Sequence, residues 1–142
     1  MSTPERIKTD VLVVGSGIAG LSFSLKACRY ADVVVVTKKE RIESNTNYAQ
    51  GGVAAVFDPG DSHDMHVADT LVAGAGLCHR RAVEELVREG PERVRELMDW
   101  GVRFSREGGR VSLGREAGHS ERRILHAADL TGQEIERALL EA

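Results

Sequence analysis

Apolar and polar residues fall into blocks along this chain, and the period within each block indicates an element. Asp10 to Val14, DVLVV, is a β-branched run stopped by glycine, which predicts a strand buried on both faces. Ile18, Leu21, Leu25 and Cys28 recur at helical spacing, so a helix is predicted over Ile18 to Tyr30. Val33 to Thr37 is a second apolar run. Strand, helix and strand this close together predict a right-handed βαβ unit and a parallel sheet.

From Lys38 to Gly60 the periodicity vanishes. Polar residues and paired glycines (ESNTNYAQGG) predict an ordered loop, of a length that compact domains seldom keep without a function. Helix is predicted again over Asp64 to Ala73, breaking at GAG. It resumes over Arg80 to Glu89 with Val83, Leu86 and Val87 on one face. Gly90 and Pro91 then separate this segment from a further helix, Pro91 to Trp100, with Val94, Leu97 and Met98 as its buried stripe. Val102 to Leu113, VRFSREGGRVSL, predicts a glycine-turned hairpin. Thr131 and Glu134 are spaced as a capping box, opening a helix with Ile135, Ala138 and Leu139 inward. The fold class is therefore α/β: a Rossmann-like βαβ unit with a parallel sheet, followed by helices and a hairpin. Only two strands suit a parallel sheet, so the domain is expected to be incomplete.

Composition narrows the function. The length of 142 residues suits one domain. A net charge of -3 from well-mixed acids and bases argues against nucleic acid or an anionic membrane as partner and favours a small molecule. No apolar run is long enough to span a bilayer, and the first residues lack a signal-like core, so a cytoplasmic location is expected. The two cysteines, Cys28 and Cys78, are isolated in apolar surroundings. They are expected to be buried small hydrophobes rather than a disulfide or metal site. His63 and His66 have ligand-like spacing but no third partner, so no metal is expected and the pair reads as solvated or capping. Trp100 reads as core.

Gly15-Ser16-Gly17-Ile18-Ala19-Gly20 satisfies GxGxxG after a strand and at a helix start. The first glycine permits the turn, the second clears a path for a pyrophosphate, and the third lets helix and strand approach. The helix N-terminus adds unpaired N–H groups and partial positive charge. The usual ribose-binding acid is missing: Val36 is followed by Thr37 and Lys38, with Glu40 late. Lys38 alone would also suit an NADP-dependent reductase.

Five stretches in order, DVLVVGSGIAGL, TK, NTNYAQGGVAAV, HVADTLVAGAGLC and REAGHSERRILHAADLTG, resemble the L-aspartate oxidases of the fumarate reductase and succinate dehydrogenase flavoprotein family. The resemblance covers nearly all of residues 10 to 142. It implies that Lys38 is the usual residue at the end of the second strand. It further implies FAD contacts at Ser16, Gly17, Ile18, Ala19 and Lys38, and along Asn45, Thr46, Asn47, Tyr48, Ala49, Gln50, Gly51 and Gly52. The covalent flavin histidine of the succinate and fumarate enzymes corresponds to Asn45, which implies noncovalent FAD.

The resemblance also gives Glu116 a role, facing the amino group of the substrate, with Ala117 the one departure in its motif. Taken without it, Glu116 reads as an ion-pair partner of Arg115 or Arg123. His119 and His126 are either site-lining or structural, and the roles of Arg122 and Arg123 stay open. The implied activity is oxidation of L-aspartate to iminoaspartate, with oxygen or fumarate reoxidising the flavin and quinolinate synthase as pathway partner towards NAD. Alternatives are a succinate dehydrogenase or fumarate reductase flavoprotein, and a nucleotide-binding fragment without catalysis. Residues 1–142 would be the N-terminal portion of an FAD-binding domain. Its remaining strands, the capping and helical domains, and the arginine and histidines that hold the dicarboxylate, would lie beyond residue 142.

Overall fold

A computed structural model describes residues 6–38 and 44–142; Glu40 lies outside them. Strand β1 (Val11–Val14), helix α1 (Ile18–Ala27) and strand β2 (Val33–Val36) form the expected βαβ unit, the strands pairing in parallel from Val11 with Val33 to Val14 with Val36. Gly15 turns between β1 and α1 at φ +109°. A Cβ on Gly20 would overlap the carbonyl oxygen of Gly15, so only glycine lets α1 lie this close to the turn. The expectation of strands buried on both faces fails. Leu12 is 59% and Val14 81% exposed, while Val11 and Val13 are half-buried. Val13 faces α1, and no layer of the described residues covers the opposite face of this two-stranded sheet.

The polar loop after β2 is not wholly irregular, because Val53–Ala54 forms β3. Helix α2 (His63–Ala73) starts at Ser62, whose Oγ accepts the Met65 N–H. The two helices expected around Gly90 and Pro91 are one continuous α3 (Arg80–Asp99). A proline inside a helix costs about 3 kcal/mol. Here Pro91 lies on the same buried stripe as Val87, Val94 and Leu97, and burying each such side chain returns about 1.5–3 kcal/mol. The stripe outweighs the break. Leu86, expected on it, is 67% exposed.

The hairpin shrinks to β4 (Arg106–Glu107) and β5 (Arg110–Val111), turning through Gly108 and Gly109 at positive φ. Its expected flanks go elsewhere. Val102 and Phe104 enter the core, and β6 (Leu113–Gly114) joins β7 (Ile124–Leu125) and β3 in a three-stranded antiparallel sheet with β7 central.

Helix α4 (Thr131–Glu141) buries Ile135, Ala138 and Leu139 as expected. The capping box does not form. Thr131 Oγ1 accepts the Ala127 N–H instead, and the Glu134 carboxylate accepts the Arg103 N–H and pairs with Arg137. Two of these partners, Ala127 and Arg137, are neighbours in the chain, and only Arg103 is brought in by the fold. The core joins α1, α3, α4 and β7 through residues such as Leu21, Val94, Leu97, Leu125 and Leu139, with Trp100 packed against it. Cys28 is exposed at the end of α1 and Cys78 half-buried, so neither is the buried hydrophobe expected. No described helix is long and apolar enough to cross a membrane.

Candidate functional site

The glycine turn opens onto a cavity of about 580 Å³ at the C-terminal ends of β1 and β2, where open α/β sheets place their ligands. Ser16, Gly17, Lys38, Asn45 and Thr46 line it, with Gly15, Thr37 and Ser44. Gly17 caps α1 in an extended conformation without a side-chain cap. Among the described residues the first-turn N–H groups thus stay unpaired, except that of Ile18, which donates to Thr46 Oγ1 at 3.1 Å. Ser16, buried, donates from Oγ to Thr37 Oγ1 at 3.1 Å and ties the turn to the end of β2. Lys38 is the cation among the described lining residues. Uncapped N–H groups, a helix dipole, one ammonium and turn residues without a Cβ suit a diphosphate. A dinucleotide cofactor fits on these grounds.

The loop that follows divides. Asn47 N–H donates to Ser44 Oγ at 3.2 Å and Ala49 N–H to the Thr46 carbonyl at 3.1 Å, folding 44–49 into a compact turn. Asn47 lines a second cavity of about 720 Å³ beside α4. Ala49 accepts the Gly132 N–H at 2.9 Å, and a Cβ on Gly132 would overlap the carbonyl oxygens of Thr46 and Ala49. The start of α4 therefore props this turn from behind. Ala19, Tyr48, Ala49, Gln50 and Gly51 are exposed and outside the lining of the glycine-turn cavity, and Gly52 packs against Ile124 and Leu125 of β7.

A second polar centre escaped the reading of the sequence. Arg123 is fully buried. Its Nε and Nη2 donate to the two oxygens of Asp61, each at 2.8 Å, while Nη1 donates to Asp69 Oδ2 and lies 3.2 Å from His119 Nδ1. A guanidinium only donates, so His119 Nδ1 is the acceptor and a neutral ring carries its proton on Nε2. Asp69 Oδ2 also accepts the N–H and the Oγ–H of Ser120, both at 2.8 Å.

His66, read as solvated or capping, is instead buried. Among the described residues its Nδ1 has no partner, and its ring centre is 5.7 Å from that of His119. Burial, then the charge of Arg123, push its pKa below the ordinary value. Burial raises the Asp61 carboxyl, but the bonds from Arg123 and the Ser62 N–H outweigh it and leave the pKa lowered. The Ser120 N–H, aided by Arg123, holds Asp69 down to about 2. Direct bonding to Asp61 raises Arg123 further. Nothing in the local pattern RRILH distinguishes buried Arg123 from exposed Arg122; the one available signal was an arginine next to the apolar pair Ile124 and Leu125.

Glu116 stands exposed on the loop between β6 and β7, and among the described residues it forms no ion pair. The alternative that it pairs with Arg123 is thereby closed, because that guanidinium points inward. Arg115 donates instead to the Ser120 carbonyl. Glu116 is not among the residues lining the glycine-turn cavity. His119 serves the buried network, and the His126 carbonyl accepts the Ser105 N–H. No group of three or more metal-ligating side chains occurs among the described residues.

Residues 10–142 match the family described as FAD binding domain. The chain is 58% identical to L-aspartate oxidase 2-a, chloroplastic, of Nicotiana tabacum, covering 94% of this chain and 21% of that protein. It is 48% identical to L-aspartate oxidase of Vibrio cholerae, covering 98% of this chain and 27% of the relative. Among solved structures, E. coli quinol fumarate reductase FrdA superposes with a TM-score of 0.88 at 32% identity, over 95% of this chain and 24% of that one. The chain thus spans about a quarter of the length of these proteins. The match decides the ambiguity of Lys38 in favour of FAD over NADP: with its glycine turn, its uncapped helix and its lysine in the acid's place, the chain belongs to the FAD-binding domain family of flavoproteins.

Proposed function

We propose that the whole protein is an FAD-dependent L-aspartate oxidase, converting L-aspartate to iminoaspartate. The observation that carries this reading is Glu116, a carboxylate without an ion-pair partner among the described residues, in a chain whose relatives at 58% and 48% identity are L-aspartate oxidases. An ammonium substituent offers such a carboxylate a charge-assisted hydrogen bond, whereas a plain dicarboxylate meets only repulsion. Glu116 thus orients the amino group and selects against succinate.

The uncapped N–H groups of α1 and the Lys38 ammonium would hold the flavin diphosphate, and Asn45 and Thr46 of the same cavity would add polar contacts. Asn45 has no nucleophile for a covalent flavin link, so FAD is retained noncovalently. When bound, FAD supplies the two-electron acceptor for the Cα hydride and is reoxidised by oxygen or fumarate. The iminoaspartate would pass to quinolinate synthase on the route to NAD.

A second reading, oxidoreduction of succinate and fumarate, is favoured by the likeness to fumarate reductase. One titration separates the two. L-aspartate added anaerobically to the FAD-loaded enzyme should bleach the flavin in preference to succinate; bleaching by succinate with no response to aspartate would overturn the proposal.

A further inference from the structure

We infer that Ser120 and Asp69 are positioning residues for Glu116, setting the preference for an amino-bearing substrate through the loop that carries it; this rests on the role proposed for Glu116. Glu116 sits on the segment linking β6 to β7, whose Arg115, Glu116, Ala117 and Gly118 are all exposed. Such a segment does not hold a carboxylate in place by its own packing. Gly118, at φ +85°, reverses the chain, and the His119 N–H then donates to the Glu116 carbonyl at 3.3 Å. The turn bearing Glu116 is thereby closed, and its far end is His119-Ser120.

That far end is anchored to the protein. Ser120 donates twice to Asp69 Oδ2, and His119 Nδ1 accepts from Arg123. The same Asp69 oxygen accepts Arg123 Nη1, and Arg123 is locked bidentately on Asp61, whose side chain is 1% exposed. The anchor thus runs from Ser120, through exposed bonds to Asp69 of α2, to the buried ion pair of Arg123 and Asp61. Charge-assisted bonds of this kind are about twice as strong as neutral ones. A loop end fixed by them transmits a defined position to a carboxylate four residues away, which a solvated loop would not.

The test is a mutant cycle in the complete FAD-loaded enzyme, reading the ratio of kcat/KM for aspartate oxidation to that for fumarate reduction. Ser120→Ala removes the hydroxyl bond and keeps the backbone one. It should lower the ratio about tenfold, mainly through KM for aspartate, and Ser120→Thr should restore it. Added to Glu116→Gln, Ser120→Ala should lower the ratio no further, because Ser120 acts through Glu116. Amide hydrogen exchange gives a readout independent of activity: Ser120→Ala should speed exchange at residues 116–120 more than at β7.

Unchanged exchange and an unchanged ratio in Ser120→Ala, with the ratio shifted in Glu116→Gln, would overturn the positioning role alone. An unchanged ratio in Glu116→Gln would overturn the reading of Glu116 beneath it. Additive effects in the double variant would also overturn the inference. Asp69→Asn should follow Ser120→Ala in both readouts wherever it folds.

Discussion

Replacing Arg123 with methionine should destabilise this protein by an amount that depends on pH in a calculable way. The side chain is fully buried and satisfies Asp61, itself 1% exposed, through two bonds of 2.8 Å. Without it, the Asp61 carboxylate keeps, among the described residues, only the Ser62 N–H, which donates to it at 2.8 Å. Breaking one side of a buried ion pair costs about 3–5 kcal/mol, because a charge is left without a partner. Proton uptake sets a ceiling. Neutralising a carboxyl whose ordinary value is 3.8 costs about 4 kcal/mol at pH 7 and about 1.6 kcal/mol at pH 5, at 1.36 kcal/mol per unit.

The sign follows from linkage. In the wild type Asp61 is lowered, so its contribution is complete above 3.8 and is lost only as pH falls through the folded value. In the variant its pKa is raised, so the folded state binds the extra proton and recovers stability as pH falls from 7 to 5. Urea unfolding followed by the fluorescence of Trp100, the single tryptophan, measures this directly. With a slope of about 2 kcal/mol per M, the midpoint should drop by about 2 M at pH 7 and by less than about 1 M at pH 5. Adding Asp61→Leu should recover part of the loss. Equal shifts at both pH values, or a loss under about 0.5 M at pH 7, would refute the reasoning.

Wild-type stability should fall in two acid windows. The first opens as pH drops below 6.5, where unfolded His66 gains a proton that the folded ring, its pKa lowered, does not. The second runs from 3.8 down to about 2 as Asp69 is protonated. His66→Leu should flatten the first and leave the second, as read by thermal melts across pH. Gly132→Ala should place a methyl against the Thr46 and Ala49 carbonyls and displace the 44–49 turn. A stability loss of about 1–3 kcal/mol is expected, with weaker FAD binding by flavin fluorescence titration. A substitution that melts and binds like wild type would show that α4 does not prop that turn.

Some expectations carried into the fold unchanged because their causes are local. The βαβ unit depended on a glycine that tolerates positive φ and on apolar spacing, and both are properties of neighbouring residues. The same holds for the inward face of α4. Pro91 misled because its local cost is real, yet Val87, Val94 and Leu97 share its stripe and outweigh it. The capping box misled for a similar reason. Thr131 and Glu134 had the right spacing, but the Thr131 hydroxyl turned back to the Ala127 N–H four residues before it, and Glu134 was taken by the distant Arg103 N–H. Cys28 shows the limit of periodicity, which places a residue on a face without saying how far that face is covered.

The candidate site divides along the same line. Ser16, Gly17, Lys38, Asn45 and Thr46 were found from motif and resemblance, and the fold gathers them around one cavity. The polar network was not legible, since Arg123 meets Asp61 across 62 positions and Asp69 across 54. Nor did any local pattern reveal that His66 is buried beside it. By itself the chain determined its dinucleotide turn, its element types and the carboxylate at Glu116, because φ, period and side-chain chemistry are carried by adjacent residues. Only tertiary structure decided which charges go inside. A buried ion is tolerated where opposite charges from distant segments converge on it, and that convergence exists only once the segments carrying Asp61, Asp69 and Arg123 are brought together by the fold.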